Sequence, residues 1–166
     1  MNRQPSSFLV ENIDLLPRGK ALDIAMGHGR NAVYLASQGF DVEGVDMSED
    51  AVDTALALAE GEGIKIRAEV ADLEKGYCIA ANAYDLIVCF NYLQRSLFAA
   101  IETGLKSGGM VVYETFIVDQ IQFGRPRNPD HLLKYNELLQ RFRNLRVLRY
   151  HEGIMNDQKA VAGIIA

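Results

Sequence analysis

The run Lys20-Ala21-Leu22-Asp23-Ile24-Ala25-Met26 is almost wholly apolar and stops at two glycines, Gly27 and Gly29, after which an amphipathic segment begins at once. A second apolar run then ends on Asp46. A strand, a turn that needs left-handed backbone, a helix and another strand form the opening of a parallel sheet, because parallel neighbours require a crossover connection. Main chain without side chains lets a ligand approach closely, and an acid ending the next strand can hold a ribose. Together they point to a nucleoside-type cofactor. Read alone, Gly27-x-Gly29 is weak evidence, since a plain strand-to-helix turn that needs positive φ uses the same residues. Asp23 adds weight to the functional reading, since a carboxylate inside a strand end is costly unless something polar lies nearby.

The same alternation continues along the chain. Pro5 to Leu16 reads as a short helix, Ala21 to Met26 as a strand, Asn31 to Gln38 as a helix stopped by Gly39, and Phe40 to Val45 as a strand. Ser48 caps a helix to about Glu60, with acids in its first turn. Ile64 to Val70 alternates as a strand, and Tyr84 to Phe90 is apolar almost throughout, as a strand covered on both faces should be. Helix Gln94 to Leu105, strand Met110 to Phe116, an irregular stretch to Pro129 and a helix Asp130 to Phe142 follow. Val147 to Glu152 and Ala160 to Ile165 are too close in sequence for a crossover and should pair antiparallel. Five strand-helix alternations and a terminal hairpin define an α/β fold: Rossmann-like, doubly wound, with a mostly parallel seven-stranded sheet, a reversed last strand and helices on both faces.

With 166 residues, residues 1–166 read as a single domain with one sizeable core. The net charge of −5 argues against a uniformly basic nucleic-acid binder. Two cysteines, Cys78 and Cys89, are too few for a disulfide framework or a zinc site, and three histidines with scattered carboxylates form no metal constellation. Met1 to Pro5 lacks a secretory apolar region and no run is long enough to span a bilayer, so a cytoplasmic protein is expected. Nothing in the sequence fixes an oligomeric state.

Leu22 to Asp46, LDIAMGHGRNAVYLASQGFDVEGVD, resembles the first two motifs of the class I S-adenosylmethionine-dependent methyltransferases, and most resembles their tellurite-resistance type, with its Gly-x-Gly-Arg-Asn loop. ADLEKG after the third strand, YDLIVCFNYL at the fourth, LKSGGMVVYETF at the fifth and the terminal hairpin extend the likeness over nearly the whole chain. Two departures stand out: Ala25 replaces the usual first glycine, and Met26 sits where a cysteine is common. The resemblance implies S-adenosylmethionine as cofactor. It implies that Gly27 and Gly29, beside Ala25, let main chain approach the methionyl part, and that Asp23 supports the amino group. Asp46 would accept from both ribose hydroxyls. Met47 and Leu73 would cover the two adenine faces, Asp72 would reach the adenine amino group, and Phe90 and Asn91 would border the methionyl arm.

A sulfonium carries its own leaving group, so the protein chiefly aligns an acceptor and excludes water. No catalytic residue is therefore legible. The acceptor side should lie beyond the carboxyl ends of strands four and five. Asn91-Tyr92-Leu93 is not the Asn-Pro-Pro-aromatic signature of enzymes that methylate base or glutamine amides. Tyr92 could orient an acceptor or simply pack as a lid. The loop Gly124 to His131 carries Arg125, Arg127 and His131, which suit an oxyanion or carboxylate unless they pair with nearby acids. The leading expectation is methyl transfer to a small acceptor, anionic or soft (chalcogen or thiol). Competing readings are RNA or protein methylation through the basic stretch Arg125 to Arg149, a non-catalytic cofactor-binding module, and, least of all, a nicotinamide dehydrogenase.

Overall fold

A computed structural model describes residues 4–166; Met1 to Arg3, part of the stretch read for a secretory leader, lie outside the described residues. The elements in chain order are α1 (Ser7–Glu11), β1 (Lys20–Ile24), α2 (Arg30–Ser37), β2 (Asp41–Asp46), α3 (Glu49–Gly61), β3 (Arg67–Val70), β4 (Tyr84–Phe90), α4 (Phe98–Gly104), β5 (Leu105–Phe116), α5 (Glu137–Arg141), β6 (Arg149–Met155) and β7 (Lys159–Ile165). The seven strands form one sheet in the order β3-β2-β1-β4-β5-β7-β6. β1 to β5 are parallel, and β7 inserts antiparallel between β5 and β6, as the terminal hairpin required.

Alternation along β4 shows how the sheet separates two cores. Leu86, Val88 and Phe90 face α1, α2 and α3, where Phe8, Leu9, Ala32, Leu35, Val52 and Ala55 cover them. Ile87 and Cys89 face the opposite side, packed with Phe98, Ile101, Leu138 and Phe142 of the α4–α5 layer. A strand with both faces covered must be apolar throughout, which is the pattern of Tyr84 to Phe90. Ser48 caps α3 as expected, its hydroxyl accepting from Ala51 N at 3.2 Å.

Three sequence expectations change. The crossing from β3 to β4 contains no helix; it is a turn-rich segment pinned by buried Leu73 and Ile79. The expected helix over Asp130 to Phe142 shortens to α5. Adjacent Leu132 and Leu133 are both buried, which an extended segment achieves more readily than a helix. Leu133 bridges to Ile117, donating to Phe116 O at 2.9 Å and accepting from Val118 N at 3.0 Å. Main-chain groups left unpaired at the end of β5 thus outcompete helix propensity. The first helix breaks at Asn12, whose side chain donates to Phe8 O at 2.9 Å, and a 3₁₀ turn over Ile13–Leu15 follows.

Strand order reverses between β1 and β4, from β1 outward to β2 and β3 on one side and from β4 to β5 on the other. In an open α/β sheet this switch point leaves a crevice beyond the carboxyl ends of the strands.

Candidate active site

The loop leaving β1 occupies that crevice. Ala25, Gly27 and Gly29 all have positive φ, at 54°, 55° and 81°. Met26 N donates to Val45 O at 3.0 Å, holding the loop against the end of β2. Met26 fits where it does because Gly44 lies beneath it: a Cβ on Gly44 would fall 2.1 Å from the Met26 sulfur. Left-handed Ala25 carries roughly 1–2 kcal/mol of strain, of the kind that surrounding structure holds in place at ligand sites.

A cavity of about 930 Å³ opens above the loop, lined by Asp23, Ala25, Gly27, Asp46, Phe90, Asn91 and Tyr92 together with loop and α3 residues. Its size is that of a nucleoside-scale ligand site. Six of the ten sequence-expected cofactor residues, Asp23, Ala25, Gly27, Asp46, Phe90 and Asn91, meet on this one wall. A Cβ on Gly27 would touch nothing within 4 Å, so the bare main chain there fronts open space. Asp46 is fixed at both oxygens: Gly27 N donates to Oδ2 at 2.9 Å and Ser48 N to Oδ1 at 3.0 Å.

Asp23 is 1% exposed, and its Oδ2 is buried with no hydrogen-bond partner. Burial pushes its pKa up to about 8; Arg30 opposes the rise, Asp46 adds to it, and the Ala32 N–H draws it down. A buried carboxylate oxygen without a partner, on the wall of a cavity, calls for a cationic or hydrogen-bond-donating ligand group. Asp23 and Asp46 are therefore the two features of this cleft that fit the amino group and the ribose of S-adenosylmethionine.

The other four expected residues lie elsewhere. Gly29 does not front the cavity: a Cβ there would fall 2.6 Å from Ala55 Cβ, so this glycine is required by the packing of α2 on α3. Met47, next to Asp46, projects into solvent at 69% exposure. Asp72 lines a separate cavity of about 630 Å³ with Glu43, Glu69 and Tyr77, its Oδ1 accepting from Glu74 N at 2.9 Å. Leu73 is buried in the core. The strand ends still bring Met47 and Asp72 near one another, since Ala71 N donates to Asp46 O at 2.9 Å.

Two groups had no reading from sequence. Asn31, 4% exposed, accepts from Ser6 N at 2.8 Å, and Arg30 donates to Gln4 O at 3.1 Å; both also line the large cavity. The Arg-Asn of the loop thus fastens the segment before α1 to the cavity's edge. Arg95, which follows β4 just after Tyr92, is committed to structure. It donates twice to Glu137, at 2.7 and 2.9 Å, and to the carbonyls of Asp130 and Leu132 at 2.9 Å each. An alternating Asn-Tyr-Leu pattern or a basic run does not reveal such pairs, which join residues about forty positions apart.

The four expected acceptor residues do converge. Tyr92, Arg125, Arg127 and His131 line a cavity of about 740 Å³ with Leu93, Phe116, Pro126 and Glu74. Asn91 and Tyr92 line this cavity and the larger one alike. Their main chain is pinned, as Asn91 N donates to Glu114 O at 2.9 Å and Tyr113 Oη to Tyr92 O at 2.8 Å. Burial raises the Tyr92 phenol to about 12, helped by Glu74, so it is a neutral hydrogen-bonding group near pH 7 and not a base. His28 is exposed on the larger cavity. His151 is a structural residue, 3.0 Å from buried Glu114 and edge-on to Phe8 at 4.6 Å. Buried Cys89 packs in the core, and burial pushes its thiol well up. In the basic stretch, Arg141 pairs with Glu137 at 3.2 Å. No described helix is long and apolar enough to cross a membrane.

A doubly wound sheet whose switch-point crevice holds a glycine loop and a strand-end acid defines a nucleotide-cofactor fold. Residues 21–109 match the methyltransferase domain family, and the chain belongs to it. It is 28% identical over 158 residues to Hemagglutinin 1 of Eikenella corrodens, covering 89% of this chain and 51% of that protein. It is 29% identical over 105 residues to the ubiquinone biosynthesis O-methyltransferase of Burkholderia thailandensis, covering 60% of this chain and 45% of that one. The chain thus spans about half the length of these curated relatives. Among solved structures, TehB of Haemophilus influenzae superimposes with a TM-score of 0.82 at 20% identity, over 97% of this chain and 61% of that one. An S-adenosylmethionine-dependent methyltransferase of Mesorhizobium loti gives 0.76 at 18% identity, over 96% and 97% of the two chains. The fold is that of class I methyltransferases.

Proposed function

We propose that this chain binds S-adenosylmethionine in the larger cavity and directs its methyl group to a small, anionic or soft acceptor in the neighbouring one. The observation that carries the reading is the buried, unpartnered Asp23 Oδ2 on the cavity wall. It asks for the kind of positive, donating group that a methionyl ammonium supplies. Asp46, already oriented by Gly27 N and Ser48 N, keeps acceptor capacity for ribose hydroxyls. Exposed Met47 would be covered by adenine, with Asp72 and Leu73 following the adjacent strand end.

When bound, the sulfonium supplies an electrophilic methyl group and a neutral thioether leaving group. What this chain contributes is placement. The pinned Asn91–Tyr92 main chain forms the wall common to both cavities, and the neutral Tyr92 hydroxyl can hold an acceptor's lone pair or proton in line. Arg125, Arg127 and His131 would fix an anionic group at the far end. Glu74 is the acid on this second cavity's lining.

Isothermal titration tests the reading. S-adenosylmethionine and S-adenosylhomocysteine should bind one per chain, and D23N and D46A should each weaken both. Absence of binding to the wild-type chain, or preferential binding of a nicotinamide dinucleotide, would refute it.

A further inference from the structure

The second cavity carries two features that pull toward different ligands if taken one at a time. Arg125, Arg127 and His131 are exposed on its lining, and none of their side chains makes a hydrogen bond or ion pair with another described residue. The competing reading, in which these arginines pair with nearby acids, is not met: Glu74 lines the same cavity but does not bridge to them. Two guanidiniums against one carboxylate leave a net positive wall. Asn91 and Asn128 add two amides, and the rest is apolar or aromatic, formed by buried Leu93, half-buried Phe116 and Pro126, and the ring of Tyr92.

Size decides between an inorganic and an organic anion. A bare oxyanion of four or five heavy atoms displaces on the order of 100 Å³, judged against the ~30 Å³ share of a water. The cavity holds about 740 Å³. A naked oxyanion would meet the guanidiniums and leave the Leu93, Phe116 and Pro126 surface wet, gaining nothing from it. A ligand with an apolar body and one anionic end uses both walls, since covering apolar surface contributes roughly 25 cal/mol per Å² and a carboxylate matches the guanidinium fork.

We propose that this cavity takes an organic carboxylic acid with an apolar, preferably aromatic, body. The carboxylate lies on Arg125 and Arg127, with His131 beside them. The body lies against Phe116, Leu93 and Pro126, and its other end reaches the Asn91–Tyr92 wall. Calling this ligand the methyl acceptor rests on the function proposed above; its recognition by the cavity does not.

The test is binding to the full chain, measured by ligand-observed NMR and titration calorimetry, with and without saturating S-adenosylhomocysteine. The probes are benzoate, 4-hydroxybenzoate, 3-phenylpropionate and octanoate, each against its neutral amide, with inorganic phosphate as the bare anion. At least one acid should bind 10-fold or more tightly than its amide and than phosphate. R125A/R127A should lose that preference while keeping wild-type affinity for S-adenosylmethionine, which also shows that the variant is folded. R125K/R127K should recover part of it. The proposal is overturned if no acid exceeds its amide, if phosphate matches the acids, or if the preference survives in R125A/R127A. Binding of S-adenosylmethionine without any acid preference would remove the substrate class and leave the cofactor reading standing. Acid preference without S-adenosylmethionine binding would do the reverse.

Discussion

Gly27 N donates to Asp46 Oδ2 at 2.9 Å, so the bare turn after the first strand and the acid ending the second are joined directly. Removing the carboxylate therefore does two things: it deletes the proposed ribose acceptor and takes away the Gly27 N partner. Hydrogen bonds to a charged group contribute about 1.5–3 kcal/mol each. D46A is expected to weaken S-adenosylmethionine binding about 100-fold, while D46N, which can still accept from Gly27 N, should lose less. Calorimetric titration of the two variants checks the order.

The proposed contact between Asp23 and the methionyl ammonium predicts that cofactor binding is a proton-linked event. Its folded pKa is raised from 3.8 to about 8, chiefly by burial. Near pH 7 the unliganded protein holds this carboxyl mostly protonated, and an ammonium group placed against it favours the ionised form. Binding of S-adenosylmethionine at pH 7 should release up to about one proton, read from the dependence of the binding enthalpy on buffer ionisation enthalpy. D23N should abolish the dependence. The sign for the unliganded protein is the opposite of an ordinary acid. A raised pKa means that the native state binds more protons than the unfolded chain between about pH 4 and 8. The contribution is fully present below pH 4 and is lost as pH rises through 8. Denaturant unfolding at pH 5 and pH 8.5 should show a loss in the wild type that D23N lacks.

Gly29 makes a different contribution from Gly27, although the sequence presents them as one motif. G29A must place a methyl in left-handed backbone and 2.6 Å from Ala55 Cβ. Strain and overpacking together should cost about 2–4 kcal/mol, a fall of roughly 5–15 °C in Tm. G27A meets open space and should cost only its conformational strain, about 1–2 kcal/mol, while its methyl enters the cavity and weakens S-adenosylmethionine binding. Thermal melts and titrations of the pair should separate the packing glycine from the ligand-facing one. Equal losses of stability would contradict the assignment.

The contrast between those two glycines shows how far sequence alone reached. The parallel sheet with its reversed last strand was legible from the alternation of elements and the short terminal connection, and the limits of β4 because a doubly covered strand must be apolar along its whole length. The Gly27, Asp46 and Asp23 cluster was legible because Gly27 offers bare main chain at the strand-to-helix turn, Asp46 ends the neighbouring strand, and a carboxylate such as Asp23 is costly inside a strand end without a partner. What Gly29 touches, and what Asn31, Arg95 and Glu137 hold, was not, since those contacts join segments that only the fold brings together. The helix expected over Asp130 to Phe142 failed for a related reason: its apolar positions were buried as expected, but the open end of β5 captured Leu133 as a strand partner. The convergence of Arg125, Arg127 and His131 was anticipated from their place after the fifth strand, while the apolar half of their cavity required Leu93 and Phe116 from two other elements.

Glu137 supports the loop that carries the basic residues, and its titration should be visible in acid. Burial alone would raise its pKa, but Arg95, the Lys134 N–H and Arg141 outweigh burial and hold it at about 2 against 4.5. A depressed pKa contributes stability that is present above about pH 4.5 and is lost as pH falls toward 2. E137Q leaves Arg95 partly buried without its charge partner and should destabilise by about 2–4 kcal/mol at pH 7. Its stability should then fall less steeply than the wild type's between pH 5 and 2. Because Arg95 also holds the carbonyls of Asp130 and Leu132, R95A should loosen the chain around His131, raising amide exchange there above that in β4. Parallel acid-unfolding slopes for E137Q and wild type would show that the ion pair does not set the native titration of Glu137.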